Sequence, residues 1–230
     1  MLDLPAREAV PPVVLDLDLP GLSLGGSPVL GPIRLRVRRG ETVALLGPSG
    51  IGKTTLLRVV AGLAKPGNGQ VRRHGRLAMV FQEPTLLPWR TLSQNLTLVA
   101  GITAEEAEAA LVEVGLGGTG GLYPSQISLG QQRRLSLARA FACKPDLLLM
   151  DEPFVSLDEA RVREMMGLFA RLRARHETAT ILVTHDPREA EALAGRILRL
   201  GGRPARIEEE RQNAGAYFQL SASGVTSSGS

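Results

Sequence analysis

The sequence predicts an α/β fold: a mostly parallel sheet with flanking helices, an N-terminal antiparallel β lobe and an inserted helical subdomain. Three observations predict it. Continuous aliphatic runs at residues 42–46, 147–150 and 179–183 each lead into a helical segment, the pattern of strands buried on both faces of a parallel sheet. Earlier, Leu15, Leu17 and Leu19 alternate with Asp16 and Asp18, and Ile33, Leu35 and Val37 alternate with arginines, as half-exposed antiparallel strands do. From about residue 90 to 143 the strand–helix alternation gives way to a helical run.

The elements follow in chain order. Residues 1–12 read as a mobile tail, 13–208 as the domain, and 209–230 as a flexible tail whose end is rich in Ser and Gly. The strand at 42–46 stops at Gly47, and a helix runs from Lys53 to Ala61, ended by Gly62. Further strands are expected at 71–73 and 77–81. Thr103-Ala104-Glu105-Glu106 is a capping box that opens a helix to about Val114, and a loop leads to a second helix over 129–142. Ser156-Leu157-Asp158-Glu159 starts an amphipathic helix to Arg175, and Asp186-Pro187-Arg188-Glu189 starts another. Short strands at 196–200 and 204–207, joined through Gly201-Gly202, close the domain.

Composition narrows the function. Apolar residues are 43% of the 230, enough for a core, and aromatics only 3%, so that core is aliphatic. The single cysteine, Cys143, excludes an intramolecular disulfide and fits a reducing compartment. The N-terminal residues lack the apolar run of a signal peptide, and no stretch approaches the ~20 apolar residues of a membrane span. A soluble chain is expected. The net charge of +4 comes from scattered arginines, with no zinc-finger spacing and no aromatic–basic platform, so no nucleic-acid partner is expected.

Gly47-Pro48-Ser49-Gly50-Ile51-Gly52-Lys53-Thr54, with Thr55 next on the helix, matches the phosphate-binding pattern GxxxxGK[ST]. Glycines let the backbone wrap phosphates with its N–H groups turned inward, and the helix adds its positive dipole end. Lys53 supplies a point charge for the β- and γ-phosphates, and Thr54 a hydroxyl ligand for Mg²⁺. The aliphatic strand at 147–150 ends in Asp151-Glu152-Pro153, and ligands of open parallel sheets lie beyond the carboxyl ends of the strands. Asp151 there holds the magnesium shell and Glu152 polarises an attacking water. The fold class is that of a P-loop NTPase, with ATP and Mg²⁺ as its expected ligands.

Together these residues resemble the ABC-transporter ATPases over about residues 13–207. Gln82, in Val80-Phe81-Gln82-Glu83-Pro84, stands where that family's Q-loop glutamine meets Mg²⁺ and the lytic water. Ile127-Ser128-Leu129-Gly130-Gln131 stands at the signature, Ser156-Leu157-Asp158 resembles the D-loop, and His185 resembles the switch histidine. The run from Phe81 to Leu92, the segment 150–158 and the closing 202–207 are similar to the nitrate/sulfonate/taurine importer subfamily.

The resemblance implies an ATP-hydrolysing subunit that powers import of nitrate, sulfonate, taurine or a related small solute. It implies an integral-membrane permease as partner, a solute-binding protein acting indirectly, and a peripheral place on the cytoplasmic face of the inner membrane. It also implies an ATP-dependent head-to-tail homodimer. Each site then takes Lys53, Thr54, Gln82, Asp151, Glu152 and His185 from one subunit, and Ser128, Gly130, Gln131 and Asp158 from the other. The competing reading, an ABC ATPase acting on ribosomes or nucleic acid, usually carries two cassettes or long coiled-coil insertions, and this chain has neither.

Two positions depart from the family pattern. Leu129 replaces the signature's first glycine and is expected to pack harmlessly into the helical subdomain. Leu24 stands where an adenine-stacking aromatic is usual, and a lost base–aromatic stack costs about 1–3 kcal/mol in single-strand binding proteins, so weaker nucleotide binding is expected. Trp89 and residues 86–88 read either as an apolar patch facing a permease or as part of the core.

Overall fold

Alternation and continuous burial sort the strands into separate sheets, which the computed structural model describes over residues 10–214. β1 (Val13–Leu19) pairs antiparallel with β4 (Ile33–Arg38) and β6 (Gln70–Arg73), forming a lobe in the order β4-β1-β6. The alternating leucines of β1 enter the core. Asp16 and Asp18 lie on the other face and pair with Arg36 and Arg34, each at 3.2 Å.

The main sheet contains β5 (Thr42–Leu46), β7 (Leu77–Val80), β8 (Leu147–Asp151), β9 (Ala179–Thr184), β10 (Arg196–Gly201) and β11 (Arg206–Gln212), in the order β11-β10-β5-β9-β8-β7. All pairings are parallel except β10 with β11. Every residue of β8 and β9 is buried, which explains their unbroken apolar runs. Because side chains alternate across a strand, each strand feeds two cores. Leu147, Leu149, Ile181 and Val183 join α1 (Lys53–Ala61) and the antiparallel lobe. Leu148, Met150 and Leu182 join α2 (Leu92–Ala100), α3 (Ala104–Glu113), α4 (Leu129–Ala142) and α5 (Glu159–His176). α6 (Pro187–Leu193) packs on β5 and β9.

Several expectations change. A hairpin of β2 (Leu22–Leu24) and β3 (Ser27–Leu30) was not anticipated; its Gly25-Gly26 turn has φ of 56° and 81°, and such short strands give little periodic signal. α2 is a separate helix opened by a Thr91/Gln94 capping box. α5 begins at Glu159 with Asp158 as its cap, and Ser156 lies outside it at φ 61°. The C-terminal boundary at 208 falls inside β11, because 209–212 continue the antiparallel pairing with β10. As an edge strand it is exposed, so its Glu/Arg-rich sequence resembles a tail. Of the expected tails at 1–12 and 209–230, residues 1–9 and 215–230 lie outside the described residues. Among those described, no helix is long and apolar enough to cross a membrane.

Candidate active site

Register brings the site together. Leu46 lies opposite Thr184, and Val183 lies opposite Asp151, so β5, β9 and β8 end level with one another. Their next residues, Gly47, His185 and Glu152, meet at one edge of the sheet, where ligands of open parallel sheets bind. β7 ends beside β8, with Val80 opposite Met150, and Gln82 follows it.

Two loop glycines are required, Gly47 by close approach and Gly52 chiefly by its backbone. A Cβ on Gly47 would stand 2.8 Å from the Leu200 carbonyl oxygen, and one on Gly52 would stand 2.8 Å from Leu30 Cδ2. Gly52 also has φ 117° and caps α1, whose first N–H groups lack partners within the helix. Lys53 is 4% exposed; its ammonium donates to the carbonyls of Gly47 (2.7 Å) and Pro48 (3.0 Å) and lies 3.7 Å from Glu152 Oε1. Burial lowers its pKa, while Glu152 and Asp151 act the other way.

Beside it, Thr54 Oγ1 donates to Asp151 Oδ1 at 3.0 Å. Burial raises the Asp151 pKa, against that hydrogen bond. A hydroxyl and a carboxylate side by side form an oxygen donor set of the kind that suits a hard divalent cation completed by phosphates and water. Glu152 sits at φ 45°, a conformation that costs a non-glycine residue about 1–2 kcal/mol. That backbone turns its carboxylate between Lys53 and His185, whose Nδ1 is 3.3 Å from Glu152 Oε2. Non-glycine strain of this sort collects at functional sites.

The signature residues gather elsewhere. Ser128 caps α4, and the Ser128/Gln131 capping box is complete in both directions. Ser128, Gly130 and Gln131 line a cavity of about 90 Å³ with Leu157 and Arg161. Asp158 caps α5 through the Arg161 N–H at 2.9 Å. Among the described residues, none of these groups bonds to the Lys53–Thr54–Asp151–Glu152 cluster. Gln82 is exposed and has no hydrogen bond to Thr54 or Asp151. Leu129 does not pack into the helical subdomain as expected: it is 51% exposed at the first position of α4. A residue there projects beyond the helix start rather than onto the face that packs. Leu24 is 49% exposed on β2, and Trp89 is 68% exposed, so its ring is not part of the core. A cavity of about 470 Å³ lined by Arg34, Arg36, Arg196 and Glu210 shares no residue with the cluster.

Three further residues fix neighbouring segments and carry no motif in the sequence. Asn95 is fully buried and bonds to the loop before α2, accepting from Leu87 N and donating to the carbonyls of Leu87, Arg90 and Thr91. Arg139 donates to Thr85 O at 2.7 Å. Glu189 accepts from the Thr184 hydroxyl just before His185, and burial raises its pKa against that bond. Only Glu189 left a trace, as the third residue after a helix-capping Asp186.

The chain matches the family model described as ABC transporter over residues 30–155. It is 48% identical to the aliphatic sulfonates import ATP-binding protein SsuB 3 of Paraburkholderia xenovorans, covering 84% of this chain and 79% of that one. Identity to SsuB 1 of Pseudomonas aeruginosa is 41%, covering 81% of each. A dimeric, post-hydrolysis structure of the ATP-binding cassette MJ0796 with ADP and Pi superposes at TM-score 0.75 with 27% identity, covering 87% of this chain and 99% of that one. The fold is also that of cbiO1 from Clostridium perfringens, at TM-score 0.78 and 22% identity over 91% and 92% of the two chains. With a family model covering more than half its length and relatives near half-identical over most of it, the chain belongs to the ABC transporter family.

Proposed function

We propose that this chain is the ATP-binding and ATP-hydrolysing subunit that powers an importer of aliphatic sulfonates or a related small solute. The observation that carries the reading is the junction of strand ends where Lys53, Thr54, Asp151, Glu152 and His185 meet. Relatives named as sulfonate import subunits support the solute class.

ATP enters as substrate. The loop from Gly47 to Thr55 wraps its phosphates with N–H groups, and Lys53 exchanges its two carbonyl partners for phosphate oxygens. Thr54 and Asp151 would hold Mg²⁺, with Gln82 approaching from the end of β7. When bound, that ion neutralises charge on the phosphate oxygens. Glu152 polarises the attacking water, and His185 steadies it from the neighbouring strand. Phosphoryl transfer leaves a protein mainly positioning and charge stabilisation to perform.

Ser128, Gly130, Gln131 and Asp158 would complete the site of a second copy, so the working unit is an ATP-dependent homodimer on the cytoplasmic face of the membrane. Exposed Trp89, with residues 86–88 beside it, offers a permease its contact. A separate solute-binding protein selects the cargo. The test is Glu152→Gln, which is expected to bind ATP and release no phosphate. Phosphate release at the wild-type rate would overturn the role of Glu152. Stripping Mg²⁺ with a chelator is expected to stop wild-type hydrolysis, and solute specificity is read from uptake of sulfonates by cells carrying this chain and its permease.

A further inference from the structure

We infer that Glu189 is a positioning residue for hydrolysis, holding His185 against Glu152 by fixing the Thr184 hydroxyl that ties together the residues on either side of it. The inference rests on the ATPase reading of the Glu152–His185 pair.

His185 is half-exposed at the end of β9, and Glu152 Oε2 is 3.3 Å from its Nδ1. A side chain so placed has freedom to swing unless its backbone is fixed. Here it is fixed from both sides. The Asp186 N–H donates to Thr184 Oγ1 at 3.0 Å, and the same hydroxyl donates its proton to Glu189 Oε2. Thr184 precedes His185 and Asp186 follows it, so one hydroxyl ties the two flanks together. Glu189 fixes where that hydroxyl points.

The arrangement differs from an ordinary helix cap. In a capping box the glutamate three residues in bonds directly to the N–H of the capping residue. α6 has Asp186 as its cap and Glu189 at that third position, yet Glu189 does not reach the Asp186 N–H. Thr184 stands between them as a relay. A carboxylate serving only the helix would not need the hydroxyl of the strand. Thr184 is 1% exposed, so without Glu189 its proton has no water to turn to. Glu189 is half-buried, and the backbone of Glu152 is tied to the same strand through its N–H to Val183 O at 3.0 Å. Both members of the Glu152–His185 pair therefore take their positions from the last residues of β9.

The test compares Glu189→Ala, Glu189→Gln and Thr184→Val in the full chain, with wild type and Glu152→Gln as controls. Glu189→Ala is expected to lower kcat on the order of tenfold or more with the KM for ATP little changed, since a misplacement of about 1 Å costs about 10²-fold. Glutamine retains an acceptor for the hydroxyl and should recover most of the lost rate. Thr184→Val should match Glu189→Ala, and the double variant should be no slower than either single one, because both cut the same relay. Glu189→Ala with wild-type kcat would overturn the inference. So would equal losses in Ala and Gln, or a rise in KM at unchanged kcat. If Glu189→Ala does not fold, Thr184→Val beside Glu189→Gln reads the same relay. Wild type that hydrolyses no ATP would sink the ATPase reading instead, a result distinct from all of these.

Discussion

Glu152 carries its carboxylate on a backbone at φ 45°, and Leu129 carries an apolar side chain into solvent; each residue stands against its local preference. For Glu152 the reason is geometric, since that backbone sets the carboxylate between Lys53 and His185. For Leu129 the fold supplies no such reason. Its side chain adds nothing to either core, so Leu129→Gly should lose only helix propensity, about 1 kcal/mol at most. Thermal melts are expected to fall by no more than about 4 °C. The ATPase rate should stay level or rise, because glycine lets backbone approach a phosphate more closely. A collapse of the rate with the melt unchanged would mean that the exposed leucine itself is needed at a dimer interface. Leu24 is also exposed, so an aromatic substitution there has room to form: Leu24→Tyr should tighten ATP by up to about 1–3 kcal/mol, read as a lower KM.

At the scale of elements, the loop from Pro84 to Thr91 shows what the sequence could and could not reveal. It lies between β7 and α2 and is pinned at two places. Arg139 on α4 holds Thr85, while Asn95 on α2 holds Leu87, Arg90 and Thr91. Between the pins stands exposed Trp89. The loop is therefore tied to α2 and α4 by side chains, not only through the chain. Asn95→Ala would strand the part-buried Leu87 N–H, at a cost of about 1 kcal/mol. Hydrogen exchange at residues 87–91 should accelerate, while the KM for ATP should hold, since the phosphate loop lies on other elements. Unchanged exchange would show that Asn95 is not the pin. Helix starts such as Thr103 and Asp186 were legible because capping is local chemistry. So were the strands buried on both faces. Asn95 was not legible, since a buried asparagine has the same letter as a solvated one and its partners come from a loop. β11 was hidden for a related reason: its partner is in another strand, and its own residues are polar.

At the scale of the whole molecule, the residues expected in one site fall in two places. One cluster of strand ends holds Lys53, Thr54, Asp151, Glu152 and His185, whereas Ser128, Gly130 and Gln131 line a cavity beside α5. Among the described residues the two groups share no hydrogen bond or ion pair. Ser128 keeps its hydroxyl occupied with the Gln131 N–H, and Lys53 spends its ammonium on two carbonyls of its own loop. Both are held ready, and neither is satisfied by the other in one copy of the chain. A second copy turned head to tail would bring one group to the other across bound ATP. The similar cassette MJ0796 is described as dimeric, in a post-hydrolysis state with ADP and Pi. Glu152→Gln with saturating ATP and Mg²⁺ should then scatter light as a particle of about twice the 24.5 kDa of the chain. Chelation of Mg²⁺ should return it to monomer. Ser128→Arg, which fills the approach to the second nucleotide, should keep it monomeric while still binding ATP at Lys53. A Glu152→Gln chain that stays at 24.5 kDa with its ATP site full would show that the signature segment meets its nucleotide only when a permease holds two copies together.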